Sequence, residues 1–182
     1  MIFGLSGAHR SGKSTLAKDV AEAYGIEFMD LQTRLEAQEK LLETHISMLQ
    51  IPSAPTIIDR TPLDMAGYML AELGMHSDPD IGARVATYAQ KCINATLNYY
   101  SAVVVVRPLP FYEVDPTKPP ENIGFQNHHQ YLVEGLLPQI RGIVSTATIV
   151  TDDRQERAYQ TGQFLAEVQD VEMDVVAGAT IN

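Results

Sequence analysis

Ile2-Phe3-Gly4-Leu5-Ser6, followed by Gly7-Ala8-His9-Arg10-Ser11-Gly12-Lys13-Ser14-Thr15, is the stretch that decides the fold. Residues 2–6 are a short apolar run that reads as a buried strand. Residues 7–14 match G-x-x-x-x-G-K-[ST] in full. The residues after them put Leu16, Val20, Ala21 and Tyr24 on one helical face. Strand, glycine-bounded loop and helix, in that order, are the context in which this spacing cradles phosphate. The glycines let the backbone wrap closely and turn several N–H groups inward. The helix N-terminus adds partial positive charge. Lys13 is spaced to reach the β- and γ-phosphates of a triphosphate, and the Ser14 hydroxyl to ligate magnesium. Gly7 to Thr15 are thus the expected triphosphate site. A chance glycine-rich turn is the other reading, and the strand-loop-helix context argues against it.

Outward from this loop, strand and helix signals alternate. Gly25 stops the first helix as a C-cap. Residues 26–29 read as a second strand, and Leu31, Leu35, Leu42, Ile46 and Leu49 form one stripe of a helix over 31–49, ended by Pro52 and Pro55. Residues 56–59 are a third strand. Thr61-Pro62 and Asp78-Pro79 each open a helix, the second running over about 80–98. The unbroken valines of 101–107 predict a strand buried on both faces. Residues 108–126 hold five of the ten prolines and no period, so a long loop is expected there, of a length that suits a lid. A helix over 127–137, a strand over 146–150 and a helix over 154–168, capped by Asp152 with Gln155 three residues on, complete the pattern. The expected architecture is α/β: a three-layer P-loop NTPase fold with a five-stranded parallel sheet, one domain over 1–182, and a lid at 108–126.

Composition narrows the partners. The net charge of -10 argues against a nucleic-acid polymer or an anionic membrane, since both need a basic face. A single cysteine, Cys92, allows no internal disulfide and makes a cysteine-based zinc site a poor reading. No apolar run long enough for a membrane span and no signal-peptide pattern is found, so a cytoplasmic setting is expected. Nothing in the composition excludes a homodimer.

Asp59 and Arg60 fall at the C-terminal end of the third strand, the end at which open α/β sheets bind ligands. Asp59 has the chemistry of a magnesium-holding carboxylate, and Arg60 has a planar fork suited to phosphate. The alternative is a surface cap and ion pair. The N-K-x-D base-reading motif of GTPases is not found, which leaves small kinases ahead of a non-catalytic nucleotide-binding module.

With GAHRSGKST followed by IIDRTPLD, the chain resembles the small P-loop nucleoside and nucleotide kinases, including thymidylate-kinase-like enzymes and bacteriophage deoxynucleoside monophosphate kinases. The resemblance covers most of the chain up to about residue 150. It implies ATP as phosphoryl donor with Mg²⁺, and a metal and acceptor role for Asp59 and Arg60. Some thymidylate kinases carry an arginine within the phosphate loop and none that is catalytic in the lid. Arg10 stands at that place here, and Lys118 is the only basic residue of 108–126, so the resemblance implies a catalytic role for Arg10. At His9 the chain departs from those enzymes, which carry an acidic residue there, so a thymidine acceptor is not implied.

The acceptor side has two readings. Arg34 can hold the monophosphate of a nucleotide acceptor. Asp30 can take the proton of a nucleoside 5′-hydroxyl. Each also has a bland reading: helix capping for Asp30, a surface ion pair for Arg34. Asp64 reads as a capping-box partner of Thr61. Gln90 is a candidate contact to a base edge, with a solvated helix face as the alternative. Arg107, ending the fourth strand, is a candidate phosphate contact, or a partner of Asp59 or Glu113. Arg154 is a candidate stacking contact for the donor base. His128 and His129 point about 100° apart on a helix and do not suit one zinc ion. The reaction expected is transfer of the γ-phosphoryl group of ATP to a (deoxy)nucleoside monophosphate. Lys13, Arg10, Arg60 and Asp59 are its catalytic groups, and Ser14 and Asp59 its metal ligands. A nucleoside kinase with Asp30 as base is the alternative.

Overall fold

Apolar strands that read as buried on both faces need helices on both faces, and the computed structural model has them. It describes residues 1–6, 12–30, 38–51, 54–75, 77, 79–110 and 122–179, with the backbone alone at Ser14, 27–30 and 171–179. The strands are β1 (Ile2–Ser6), β2 (Glu27–Asp30), β3 (Thr56–Asp59), β4 (Ala102–Val106) and β5 (Ser145–Ile149). The helices are α1 (Lys13–Tyr24), α2 (Gln38–Leu49), α3 (Pro62–Leu73), α4 (Pro79–Tyr99), α5 (Ile123–Leu136) and α6 (Arg154–Ala179). The strands form one parallel sheet in the order β2-β3-β1-β4-β5.

Alternation along the strands divides the core. Phe3, Leu5, Ile57, Ala102, Val104 and Val106 pack with Leu16, Ala17 and Val20 of α1 and Leu165 of α6. Their neighbours Ile2, Ile58, Val103 and Val105 pack on the opposite face with Leu63 of α3, Ile93 of α4 and Val133 of α5. Burying one such side chain contributes roughly 1.5–3 kcal/mol before the entropy of ordering it is counted. Gly4 is needed where β1 passes Tyr100: a Cβ there would stand 2.6 Å from the Tyr100 ring and overlap the Thr61 methyl.

Several boundaries depart from the sequence reading, each for a local reason. The Gly25 and Ile26 N–H groups both donate to the Ala21 carbonyl, so β2 starts at Glu27 rather than at residue 26. Asn122 caps α5 by accepting from the Phe125 N–H at 2.9 Å, so that helix starts at Ile123 and takes the last four residues of the expected lid loop. Asp153, not Asp152, caps α6, accepting from the Glu156 N–H at 2.7 Å. That helix continues to Ala179 with no proline to end it at 168. Residues 31–37 of the expected long second helix lie outside the described residues.

The topology fixes where a ligand can sit. β1 and β3 are neighbours, yet the chain leaves β1 toward β2 and leaves β3 toward β4. Connections that leave adjacent strands over opposite faces of the sheet, α1 on one and α3 and α4 on the other, open a crevice at their carboxyl ends. Among the described residues no helix is long and apolar enough to cross a membrane.

Candidate functional site

The crevice between β1 and β3 is entered through Gly12, the last residue before α1. Its φ of 84° is left-handed, a conformation glycine adopts without cost. Its carbonyl accepts the Leu16 N–H at 2.9 Å, closing the first helical turn. The first N–H groups of a helix have no partner within it and carry partial positive charge, so this end of α1 suits an anion.

Lys13 opens that turn and is only 5% exposed. Burial pulls its ammonium down to about 8, while the carboxylates of Asp64 and Asp59 hold it up and the Arg60 charge pushes it lower. All four charges therefore lie within electrostatic reach of one another. Asp59 ends β3, almost fully buried, its Cα in register with Leu5 of β1 and Asp30 of β2.

Arg60 follows with φ 79°, the one non-glycine residue with positive φ among the described residues. A left-handed arginine costs roughly 1–3 kcal/mol and persists where its surroundings hold it. Here its N–H donates to the Leu5 carbonyl at 3.2 Å. Its guanidinium carbon lies 5.3 Å from the centroid of the Tyr68 ring. Burial works against the Arg60 charge, but Tyr68, Asp64 and Asp59 outweigh it and hold the group more firmly protonated than usual.

α3 supplies the frame beneath. Thr61 is its N-cap and Pro62 stands in the first turn. Asp64 Oδ2 accepts from the Thr61 N–H at 2.8 Å and from the Thr61 hydroxyl at 3.1 Å, the capping-box geometry read from the sequence. Asp64 does more than cap, because its charge also reaches Lys13, Arg60, His45 and His129. His129 of α5 is fully buried, with Nε2 3.3 Å from the Asp64 carbonyl and its ring 4.2 Å from that of Tyr68. His128 beside it is exposed, as the angle between adjacent helical positions requires.

The structure brings Lys13, Asp59 and Arg60 together. Gly7, Ala8, His9, Arg10 and Ser11 lie outside the described residues, as does Arg34; Ser14 and Asp30 are described by backbone alone. Three expected ligand contacts have protein partners. Arg107 donates through Nε and Nη2 to both oxygens of Glu134 on α5, at 3.0 and 3.2 Å, rather than to Asp59, while Glu113 lies outside the described residues. Arg154 donates to both oxygens of Asp19 on α1, each at 2.6 Å. Gln90 is exposed on α4 and donates to Asn94 at 3.0 Å.

Sequence reasoning missed Tyr68 and Arg157, and weighed His129 only as a zinc ligand. Arg157 is only 4% exposed. Its Nε donates to the Thr151 carbonyl at 2.6 Å and its Nη2 to the Arg107 carbonyl at 3.1 Å. A signal existed: Arg157, Thr161, Leu165 and Val168 form the buried stripe of α6, and a charge on such a stripe needs a reason. His129 likewise sits four residues before buried Val133.

No protein-family model and no curated protein matches the sequence. Solved structures do match. The deoxyadenosine kinase of M. mycoides, solved with dCMP and dCDP, superposes with a TM-score of 0.62 at 13% identity, over 92% of this chain and 100% of that one. The YorR protein of Bacillus subtilis, solved with phosphorylated GDP, gives 0.57 at 16% identity, over 93% and 98%. The thymidylate kinase of Candida albicans gives 0.56 at 13% identity, over 92% of each chain. At these identities the likeness is one of fold. With a parallel sheet, a Gly-Lys turn at the end of β1 and a carboxylate at the end of β3, this chain has the fold of the small P-loop nucleoside and nucleotide kinases.

Proposed function

We propose that the chain is an ATP-dependent phosphotransferase that moves the γ-phosphoryl group of ATP onto a (deoxy)nucleoside monophosphate. One kinase domain would span 1–182, with the segment from 108 to the start of α5 as its lid. The observation that carries this reading is the convergence of Lys13, Asp59 and Arg60 at one carboxyl edge, behind the left-handed turn at Gly12.

The donor set fits Mg²⁺. Asp59 offers a hard, buried carboxylate, and Ser14 follows Lys13 in the first turn of α1. When bound, the ion supplies positive charge at the β- and γ-phosphate oxygens. The chain's own residues supply the rest. Lys13 and Arg60 neutralise charge on the transferring group, joined in this reading by Arg10, and Gly7 to Thr15 hold the triphosphate in line. An acceptor phosphate is already ionised at pH 7, so no protein base is required. Arg34 and Arg60 would hold that phosphate. Arg107, Gln90 and Arg154 would join through the donors and faces left over by their bonds to Glu134, Asn94 and Asp19.

A second reading draws support from the β2–β3 register, in which Asp30 stands directly across from Asp59. A carboxylate at that edge suits a general base for a nucleoside 5′-hydroxyl. Acceptor-dependent ADP production, measured across nucleosides and their monophosphates, separates the readings. A monophosphate acceptor whose KM rises in Arg34→Ala supports the first. A nucleoside acceptor whose kcat collapses in Asp30→Asn supports the second. ATP binding with no acceptor-dependent ADP supports a non-catalytic module.

A further inference from the structure

Three neighbouring strand exits on one half of the sheet meet at a single side chain. In the order β1-β4-β5, β1 leads to Gly12, β4 ends one residue before Arg107, and β5 ends two residues before Thr151. Arg157 bonds to two of these exits and lies beside the third. Its Nε donates to Thr151 O at 2.6 Å and its Nη2 to Arg107 O at 3.1 Å. Its Nη1 lies 3.6 Å from the point a Cβ on Gly12 would occupy.

We propose that Arg157 is a positioning residue for the phosphate-binding turn, setting the position of Gly12 against the ends of β4 and β5 so that α1 presents its N-terminus to the donor triphosphate. A planar fork suits this task because its donors diverge in one rigid plane, so two fixed carbonyls orient the third arm. The third arm lies beside Gly12, where a Cβ would be in ordinary van der Waals contact with Nη1. The anchor at Arg107 also stands where the 108–122 segment begins, so the turn and the root of that segment share one brace. Burial lowers the guanidinium pKa, and the Asp152 charge opposes that shift; the cation is kept at this rim despite the burial. The bonds to Thr151 and Arg107 both run to backbone carbonyls, and the third arm lies beside Gly12 on the donor side.

This inference deepens the kinase reading and rests on it for the nature of the ligand, so the probe is AMP-PNP with Mg²⁺, whose binding needs no acceptor and no turnover. In Arg157→Met, which keeps the stem, the Kd for AMP-PNP is expected to rise at least tenfold. Arg157→Lys keeps the charge but not the fork and should fall between Met and wild type. The KM for the acceptor should stay within twofold in both. A role confined to stability would lower the melting temperature and leave the AMP-PNP Kd of the folded protein unchanged. Such an unchanged Kd in either folded variant overturns the proposal.

Arginine side-chain NMR on the wild-type protein gives a measurement that needs no variant. The Arg157 Nε–H should be protected from exchange, and the Arg157 resonances should shift on adding AMP-PNP but not the acceptor alone. Resonances that ignore AMP-PNP while it binds would also overturn it. A wild-type protein that binds AMP-PNP and makes no acceptor-dependent ADP would instead defeat the kinase reading, with the Arg157 result still readable.

Discussion

The guanidinium carbon of Arg60 lies 5.3 Å from the centroid of the Tyr68 ring, and Tyr68 helps to hold the Arg60 charge. The contact holds a left-handed arginine at the mouth of the β1–β3 crevice, one residue after the carboxylate of Asp59. A cation over an aromatic face is worth about 0.5–2 kcal/mol, and about 1.4 kcal/mol is a factor of ten. Tyr68→Leu should therefore lower kcat/KM roughly tenfold, with Tyr68→Phe losing less because the ring remains. Steady-state kinetics read this directly. Equal values for wild type and Tyr68→Leu would mean that the ring does not hold Arg60.

Gly4 ties the core to the site. A methyl group there would overlap Tyr100, itself held by a 2.6 Å hydrogen bond to His45, and Thr61, the cap of α3. Neither neighbour is free to retreat, since both are buried. Gly4→Ala should cost about 1–3 kcal/mol, a drop in melting temperature of several degrees for a chain of this size. Calorimetry checks it, and an unchanged melting temperature would show that β1 has slack at this point.

Buried histidines give stability a pH dependence of known sign. Burial holds both His45 and His129 down to about 4 against the pull of the Asp64 charge, with Lys13 and Arg60 adding to the depression at His129. Between about 6.5 and about 4 the unfolded chain takes up protons that the folded chain refuses. Stability thus falls on acidification across that window, by about 1.4 kcal/mol per pH unit for each histidine. Urea midpoints at pH 7 and pH 5 measure the slope. His129→Gln should remove about half of it, and a slope unaltered by that change would assign the protons elsewhere.

Much of the fold was legible because its signals are local. The apolar run at 2–6 gave β1, Thr61-Pro62 gave the start of α3, and unbroken valines gave β4. The reading failed where the deciding partner is distant or ambiguous. Asp152 and Asp153 are equally plausible caps in sequence, and the hydrogen bond to Glu156 chooses Asp153. The fork of Arg107 goes to Glu134, 27 residues on, and that of Arg154 to Asp19, 135 residues away. Tyr68 and His129 meet only because α3 and α5 pack side by side over the sheet.

Asp64 joins the cap of α3 to the charges of the crevice. Its Oδ2 takes both Thr61 bonds, and its charge supports those of Lys13 and Arg60. Asp64→Asn leaves buried donors less well satisfied and two cations less compensated. A loss of about 1–3 kcal/mol in stability should accompany a fall in kcat. Chemical denaturation and turnover under one buffer test both together. A variant stable as wild type yet inactive would show that the charge serves the site and not the cap.

The most direct test of phosphoryl transfer through Lys13 follows the phosphorus itself. ATP labelled in its γ-phosphoryl group is incubated with Mg²⁺ and each nucleoside monophosphate in turn, and the nucleotides are separated. With the wild-type protein the label should appear in a nucleoside diphosphate, and with a folded Lys13→Ala variant it should stay in ATP. Label released only as inorganic phosphate, or carried to the acceptor equally well by Lys13→Ala, would contradict the assignment.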